Sequence, residues 1–207
     1  MTNRLIVSFV CLFLLTGCIY KEEPPLVLKQ TVPPPQPKIT PAPPPVVSLY
    51  PQEWFPPKGI ERKWTAIIIH HSATAEGNAA IFDKWHREEK NWNGVGYDFV
   101  IGNGSNSSNG LVEVTYRWRQ QTTGAHCGGT PGNWANVEGI GICLVGDFNK
   151  TSPSERQLQS LAKLVGFLQK RYGIPDSRVF GHGNTPGGRA TDCPGRYFSL
   201  YRLKAML

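Results

Sequence analysis

Three side chains far apart in the chain are of the types that a catalytic zinc site needs: His70, His182 and Cys193. Such a site takes three protein ligands and keeps a fourth position for water, and imidazole nitrogen and thiolate sulfur are both good zinc donors. Two neutral imidazoles and one thiolate would leave a divalent ion with a residual positive charge, which lowers the pKa of a bound water and polarises a carbonyl. Spacing alone does not settle the matter, because His70 and His182 stand more than a hundred residues apart and lack the local signature of a zinc finger. Read blandly, His70 and His71 are polar caps at a strand end, and Cys193 is a small buried apolar residue.

The elements that must position these residues can be read from the pattern around them. "WTAIIIH" at 64–70 is β-branched and bounded, which predicts a buried strand ending at His70. A helix is predicted from about Asn78 to Glu89, with Ile81, Phe82 and Trp85 on its apolar face. "GYDFVIG" and "GLVEVTY" read as strands joined by the Asn/Ser/Gly-rich turn 103–110, and "GIGICLVG" as a central strand. The clearest helix covers 153–172: Ser152 and Glu155 form a capping box, Leu158, Leu161, Val165 and Leu168 make one face, and Gly173 closes it. "SRVFGH" predicts a short strand ending at His182, and "RYFSLYRLKAML" a final helix. Strands interleaved with helices indicate a single α/β domain with a central mixed β-sheet flanked by helices. His70 and His182 then lie at carboxyl ends of strands, where ligands gather in such sheets.

The amino-terminal residues have a different character. "MTNRLIVSFVCLFLLTGC" carries Arg4 and an apolar run from Leu5 to Leu15, right for a signal-peptide core and short for a bilayer span. Its end, Leu-Thr-Gly-Cys18, resembles the lipobox of bacterial lipoproteins, which implies cleavage after residue 17 and acylation of Cys18. The residue after Cys18 is Ile19 rather than Asp, which favours an outer-membrane anchor facing the periplasm. Between Pro24 and Pro57 lie 13 of the 18 prolines, so 18–60 reads as an extended tether and 61–207 as the working domain. The net charge of +7 is scattered, and in an exported lipoprotein it points away from nucleic acid and towards anionic wall polymer. An exported compartment permits a disulfide, but Cys127, Cys143 and Cys193 leave one thiol over, and the spacing does not say which.

Five motifs in order, "IIIHHSAT", "GVGYDFVIG", "GAHCGG", "GIGICLVGDFN" and "GH" followed by "TDCPG", resemble the zinc-dependent N-acetylmuramoyl-L-alanine amidases that include phage amidase-lysozymes and animal peptidoglycan recognition proteins. The resemblance runs from about Trp64 to Phe198. It implies an amidase/peptidoglycan-recognition-like fold and Zn2+ held by His70, His182 and Cys193. It also implies hydrolysis of the amide between N-acetylmuramic acid and the L-alanine of the stem peptide, the alternative being a non-catalytic wall-binding module of the same fold. Tyr97 then assists the attacking water, and Thr191 helps to hold the water or the oxyanion. His126 faces the substrate groove by resemblance, whereas read alone it is a histidine that fixes a loop. His71 and Glu138 are placed with it as substrate contacts. Glu138 would meet a stem-peptide amine or replace the Glu base that related amidases carry where this chain has Cys143; otherwise it is a surface charge at a strand start. The eleven-residue interval from His182 to Cys193 is longer than the family pattern, so Asp192 stands as an alternative third ligand. The expected partners are peptidoglycan or a muropeptide and, through Cys18, a lipid bilayer; the protein is expected to be a monomer.

Overall fold

The computed structural model describes residues 21–23 and 48–207. The signal segment 1–17, Cys18 and the proline-rich residues 24–47 lie outside the described residues.

Strand β1, Ala66–His71, is buried at every position, as a strand covered on both faces must be. The expected strand began at Trp64, but that indole instead packs 6.2 Å from Trp118 and donates from Nε1 to Gln121. Helix α1, Ala79–Glu88, starts at Asn78, whose side chain accepts from the Ile81 amide. Its buried face differs from the expected one: Phe82 and His86, one turn apart, point inward, while Ile81 and Trp85 are 45% and 38% exposed. The hairpin strands β2, Phe99–Ile101, and β3, Val112–Val114, are antiparallel to each other. Two short helices the sequence did not announce follow, α2 at Tyr116–Gln120 and α3 at Trp134–Val137.

Strand β4, Gly139–Leu144, is central. Helix α4, Glu155–Tyr172, ends at Gly173 in the left-handed conformation and buries Leu158, Leu161, Val165 and Leu168 as expected. Its cap is corrected, however: the capping box is Ser154 with Gln157, not Ser152 with Glu155. Tertiary contacts decide between these overlapping frames. The Ser154 hydroxyl meets Asn109 Oδ1 at 2.6 Å, and Gln157 Nε2 donates to Val145 O at 2.8 Å. Strand β5, Val179–Gly181, and the short α5, Leu200–Lys204, complete the elements.

The sheet order is β3-β2-β4-β1-β5, with β2, β4, β1 and β5 parallel and β3 antiparallel at one edge. One face of the sheet packs on α4 through Ile67, Ile69, Phe99, Ile140 and Ile142. The opposite face carries Val100 and Cys143 beneath α1, and Ala66 and Ile68 beneath α3. Residues 48–57, assigned by composition to the tether, belong to the domain instead. Trp54 is 4% exposed, its carbonyl accepts from Trp118 Nε1 at 3.0 Å, and Tyr50, Trp54 and Phe55 surround Phe167. Among the described residues the domain accordingly begins at residue 48 rather than at residue 61.

Candidate metal centre and its surroundings

Alternation along β1 decides what each of its histidines can do. His70 shares a face with Ile68, the face that carries Cys143 on β4, and pairs in register with Cys143. On β5, Gly181 is level with Ile69, so His182, the next residue, arrives beside His70. His182 opens a 3-10 turn rather than ending the strand, and its ring centre lies 4.6 Å from that of His70. The loop 183–192 then returns the chain to the same point. Gly183 N donates to Cys193 O, and Cys193 Sγ comes to 3.6 Å from His70 Nδ1. One donor atom from each of His70, His182 and Cys193 lies within 4.8 Å of the other two. Asp192 is exposed and outside that group.

The donor set fits zinc. With Zn–N of about 2.05 Å and Zn–S of about 2.3 Å in a tetrahedron, N and S ligands stand roughly 3.6 Å apart, the separation seen between His70 and Cys193. His182 Nε2 is buried without a hydrogen-bond partner, an unmet requirement of the kind that marks an ion site. Burial holds both imidazoles neutral: it lowers His70 well below the ordinary histidine value, helped by His126, His182 and His71, and it lowers His182, helped by His71. Burial likewise pushes the Cys193 thiol up to about 12, against the pull of the His71 amide and with a further push from Cys127. A metal entering here would displace that thiol proton, and the His71 N–H, 3.4 Å from Sγ, would then support the thiolate. Cys127, Cys143 and Cys193 are all free thiols.

The remaining site residues divide. The Tyr97 ring lies 5.1 Å from that of His70. Burial, then the Cys143 and Cys193 thiols, raise its hydroxyl well above the ordinary tyrosine value, so it stays protonated. The Thr191 hydroxyl accepts from the Cys193 amide at 3.2 Å. Thr191, Asp192 and Cys193, with Asn149, Asn184 and Arg196, line a cavity of about 640 Å3 that opens beside the thiol.

Three expected substrate contacts lie elsewhere. His71 points to the α4 face, packs on Phe148 and accepts from the Phe148 amide at 3.0 Å, because it follows His70 by one residue on a strand. Glu138 precedes β4 at the end of the sheet away from His70 and accepts from Thr65 Oγ1 at 2.9 Å. His126 is 7% exposed and lies behind His70, with Nδ1 3.1 Å from His70 Nε2 and Nε2 3.3 Å from Gly139 O. Burial lowers its pKa to about 3, with the Gly139 contact opposing.

One residue near the centre escaped sequence reasoning. His86 is buried under α1, accepts from the Gly96 amide at 3.1 Å, and lies 4.9 Å from the Trp92 ring and 5.9 Å from that of Tyr97. Its signal was available, since Phe82 and His86 are four apart and form the inward stripe of α1.

A family model described as N-acetylmuramoyl-L-alanine amidase matches residues 61–196. The chain is 27% identical over 159 residues to the human N-acetylmuramoyl-L-alanine amidase, a match that covers 70% of this chain and 25% of that protein. It therefore spans about a quarter of that relative's length. Among solved structures it is similar to the amidase LysC from Clostridium intestinale, with a TM-score of 0.57 at 26% identity over 69% of this chain and 84% of that one. It is also similar to a structure of the peptidoglycan recognition proteins LCa and LCx bound to tracheal cytotoxin, with a TM-score of 0.52 at 25% identity over 66% of this chain and 78% of that one.

Proposed function

The chain belongs to the N-acetylmuramoyl-L-alanine amidase family, and from that premise we propose that it is a zinc-dependent peptidoglycan hydrolase. The bond cut is the amide between the lactyl group of N-acetylmuramic acid and the L-alanine of the stem peptide. The observation that supports this reading most strongly is the convergence of His70, His182 and Cys193 within 4.8 Å, at the carboxyl ends of β1 and β5 and beside Tyr97. Zinc held by these three residues would supply Lewis acidity, activating water and polarising the scissile carbonyl.

The chain's own residues do the rest. His70 and His182, kept neutral by burial, would offer lone pairs rather than protons to a bound ion. Cys193 would contribute the negative charge once a bound ion displaced its proton, steadied by the His71 amide. The protonated Tyr97 hydroxyl orients the attacking water and donates to charge that develops on the amide oxygen. Thr191, tied to the Cys193 backbone, lies at the rim of the cavity where one limb of the substrate can be held. Water adds to the carbonyl carbon, the C–N bond breaks, and the products are a lactyl carboxylate and a free alanine amine carrying the transferred proton.

The same reading extends to the amino-terminal residues. Acylated at Cys18, the domain would work from the outer membrane facing the periplasm. Because the domain already includes residue 48, the thirty residues 18–47 would reach at most roughly 90 Å as polyproline II, at about 3.1 Å per residue.

Zinc stoichiometry and product release together test this function. The protein is expected to release L-alanine-led peptides from peptidoglycan, and to lose both bound zinc and activity in Cys193→Ala but not in Asp192→Ala. Zinc-loaded protein that binds the wall and releases no peptide would make it a binding module.

A further inference from the structure

We infer that His126 is a positioning residue that fixes the tautomer of His70, and so leaves the His70 nitrogen that faces Cys193 free of its proton. The inference rests on the zinc reading above and gives a part to His126, which that reading leaves unused. It follows from one carbonyl. Gly139 O can only accept a hydrogen bond, and it lies 3.3 Å from His126 Nε2, so Nε2 carries the proton of the neutral ring. Nδ1 of His126 is then a bare acceptor, and the only polar atom placed against it among the described residues is His70 Nε2 at 3.1 Å. His70 must therefore donate from Nε2, which leaves its Nδ1 deprotonated on the side where Cys193 Sγ stands 3.6 Å away. A ligand histidine oriented through its second nitrogen is the usual arrangement around zinc. Here the orienting group is a second imidazole, itself oriented by the backbone of β4.

The slot that holds His126 is shaped for this ring, which is an independent observation. A Cβ at Gly124 would fall 2.5 Å from its Cδ2, and one at Gly141 would fall 2.4 Å from the same atom. The main chain on either side is fixed too: Asn136 Oδ1 accepts from the amides of His126 at 2.8 Å and Cys127 at 2.9 Å, and its Nδ2 donates to Cys127 O. A residue that only touched substrate would have no need of a buried slot between two glycines. The opposing view, that His126 meets the substrate, predicts a different set of losses on substitution.

Two measurements separate these views and also separate this inference from the zinc reading. In the metal-free protein, long-range 15N–1H correlation of the histidine rings is expected to show the Nε2–H tautomer for both His70 and His126. An Nδ1–H tautomer at His70 would overturn the inference, whether or not the protein binds zinc. Zinc competition with a chelator is expected to show binding weakened about 10–100-fold in His126→Ala. His126→Asn, whose Oδ1 can stand near the position of Nδ1 and accept from His70, should recover most of that loss. If His126→Ala keeps wild-type zinc affinity and raises KM alone, His126 is a substrate contact and the inference is wrong. Should His126→Ala fail to fold, the wild-type tautomer and the His126→Asn titration still decide. A wild-type protein that takes up no zinc would defeat the zinc reading while leaving the tautomer result standing.

Discussion

Gly141 is the position at which a single methyl group should disturb both the fold and the candidate metal centre. It lies mid-β4, level with Ile68, with the His126 imidazole laid over it. An added Cβ would stand 2.4 Å from Cδ2, 2.6 Å from Cγ and 2.8 Å from Nε2 of that ring. Carbon atoms in contact prefer about 3.5–4.0 Å, so Gly141→Ala creates an overlap of roughly 1 Å. The ring has no free direction to yield, because Gly124 closes another side and the bonds to His70 and Gly139 O hold its two nitrogens. Overpacking of this kind costs about 1–3 kcal/mol, and in a domain of this size each kcal/mol lowers Tm by about 2–4 °C. The variant is therefore expected to melt roughly 6 °C below wild type. Because the displaced ring also lengthens the 3.1 Å contact to His70, zinc binding should weaken in the same protein. Thermal unfolding without metal and chelator competition with zinc read the two effects. Gly166→Ala is the control: it sits inside α4, a Cβ there meets nothing within 4 Å, and it should be neutral or slightly stabilising. If Gly141→Ala melts with wild type and binds zinc equally well, His126 does not occupy this slot and the reasoning fails.

Further outcomes follow from the same contacts. Trp54→Ala should destabilise the domain by about 3–5 kcal/mol, although composition assigns residue 54 to a tether; denaturant titration reads this, and an unchanged midpoint would return residues 48–57 to the tether. Removing residues 1–47 should leave the midpoint unchanged, whereas removing 1–57 should cost at least as much as Trp54→Ala. Acid should expose the buried His126: its folded pKa of about 3 lies below the unfolded value, so the unfolded chain takes the proton first and stability is lost as pH falls below about 6.5. At pH 5 this one group costs about 2 kcal/mol, which the metal-free His126→Asn protein should not lose. Asp98, pushed up to about 7 mainly by burial, acts in the opposite sense, lowering stability as pH rises from about 4 to 7. The decisive quantity is thus the difference between variant and wild type at pH 5 and pH 7.5, and equal acid losses in the two proteins would contradict the buried site.

What could be read from the sequence, and what could not, has physical reasons. The β-branched run before His70 and the short strand before His182 place both imidazoles at carboxyl ends of parallel strands, and the sheet makes those strands neighbours. Cys193 was legible through zinc chemistry and through resemblance, though only the return of loop 183–192 separates it from Asp192. His71 was misplaced because adjacent strand residues face opposite sides, a rule that the paired histidines invite one to overlook. Both misassigned segments have local causes. Ser152 and Ser154 each have Glu or Gln three residues on, and contacts with Asn109 and Val145 choose between them. The prolines around Trp54 conceal an aromatic anchor for Phe167. His126 was the hardest to read, since its burial depends on tertiary contact; even so, a glycine inside the strand "GIGICL" signals close approach by some other group.

Hydrolysis of one amide bond by His70, His182, Cys193 and zinc is open to a test by isotope placement. The zinc-loaded protein is incubated in 18O water with a defined N-acetylmuramoyl peptide, and the products are weighed by mass spectrometry. One 18O atom is expected in the lactyl carboxylate of the sugar fragment, with an unlabelled peptide carrying a free alanine amine, and both products are expected to be lost in Cys193→Ala. Intact muropeptide after incubation, or label and cleavage at any other bond, would contradict it.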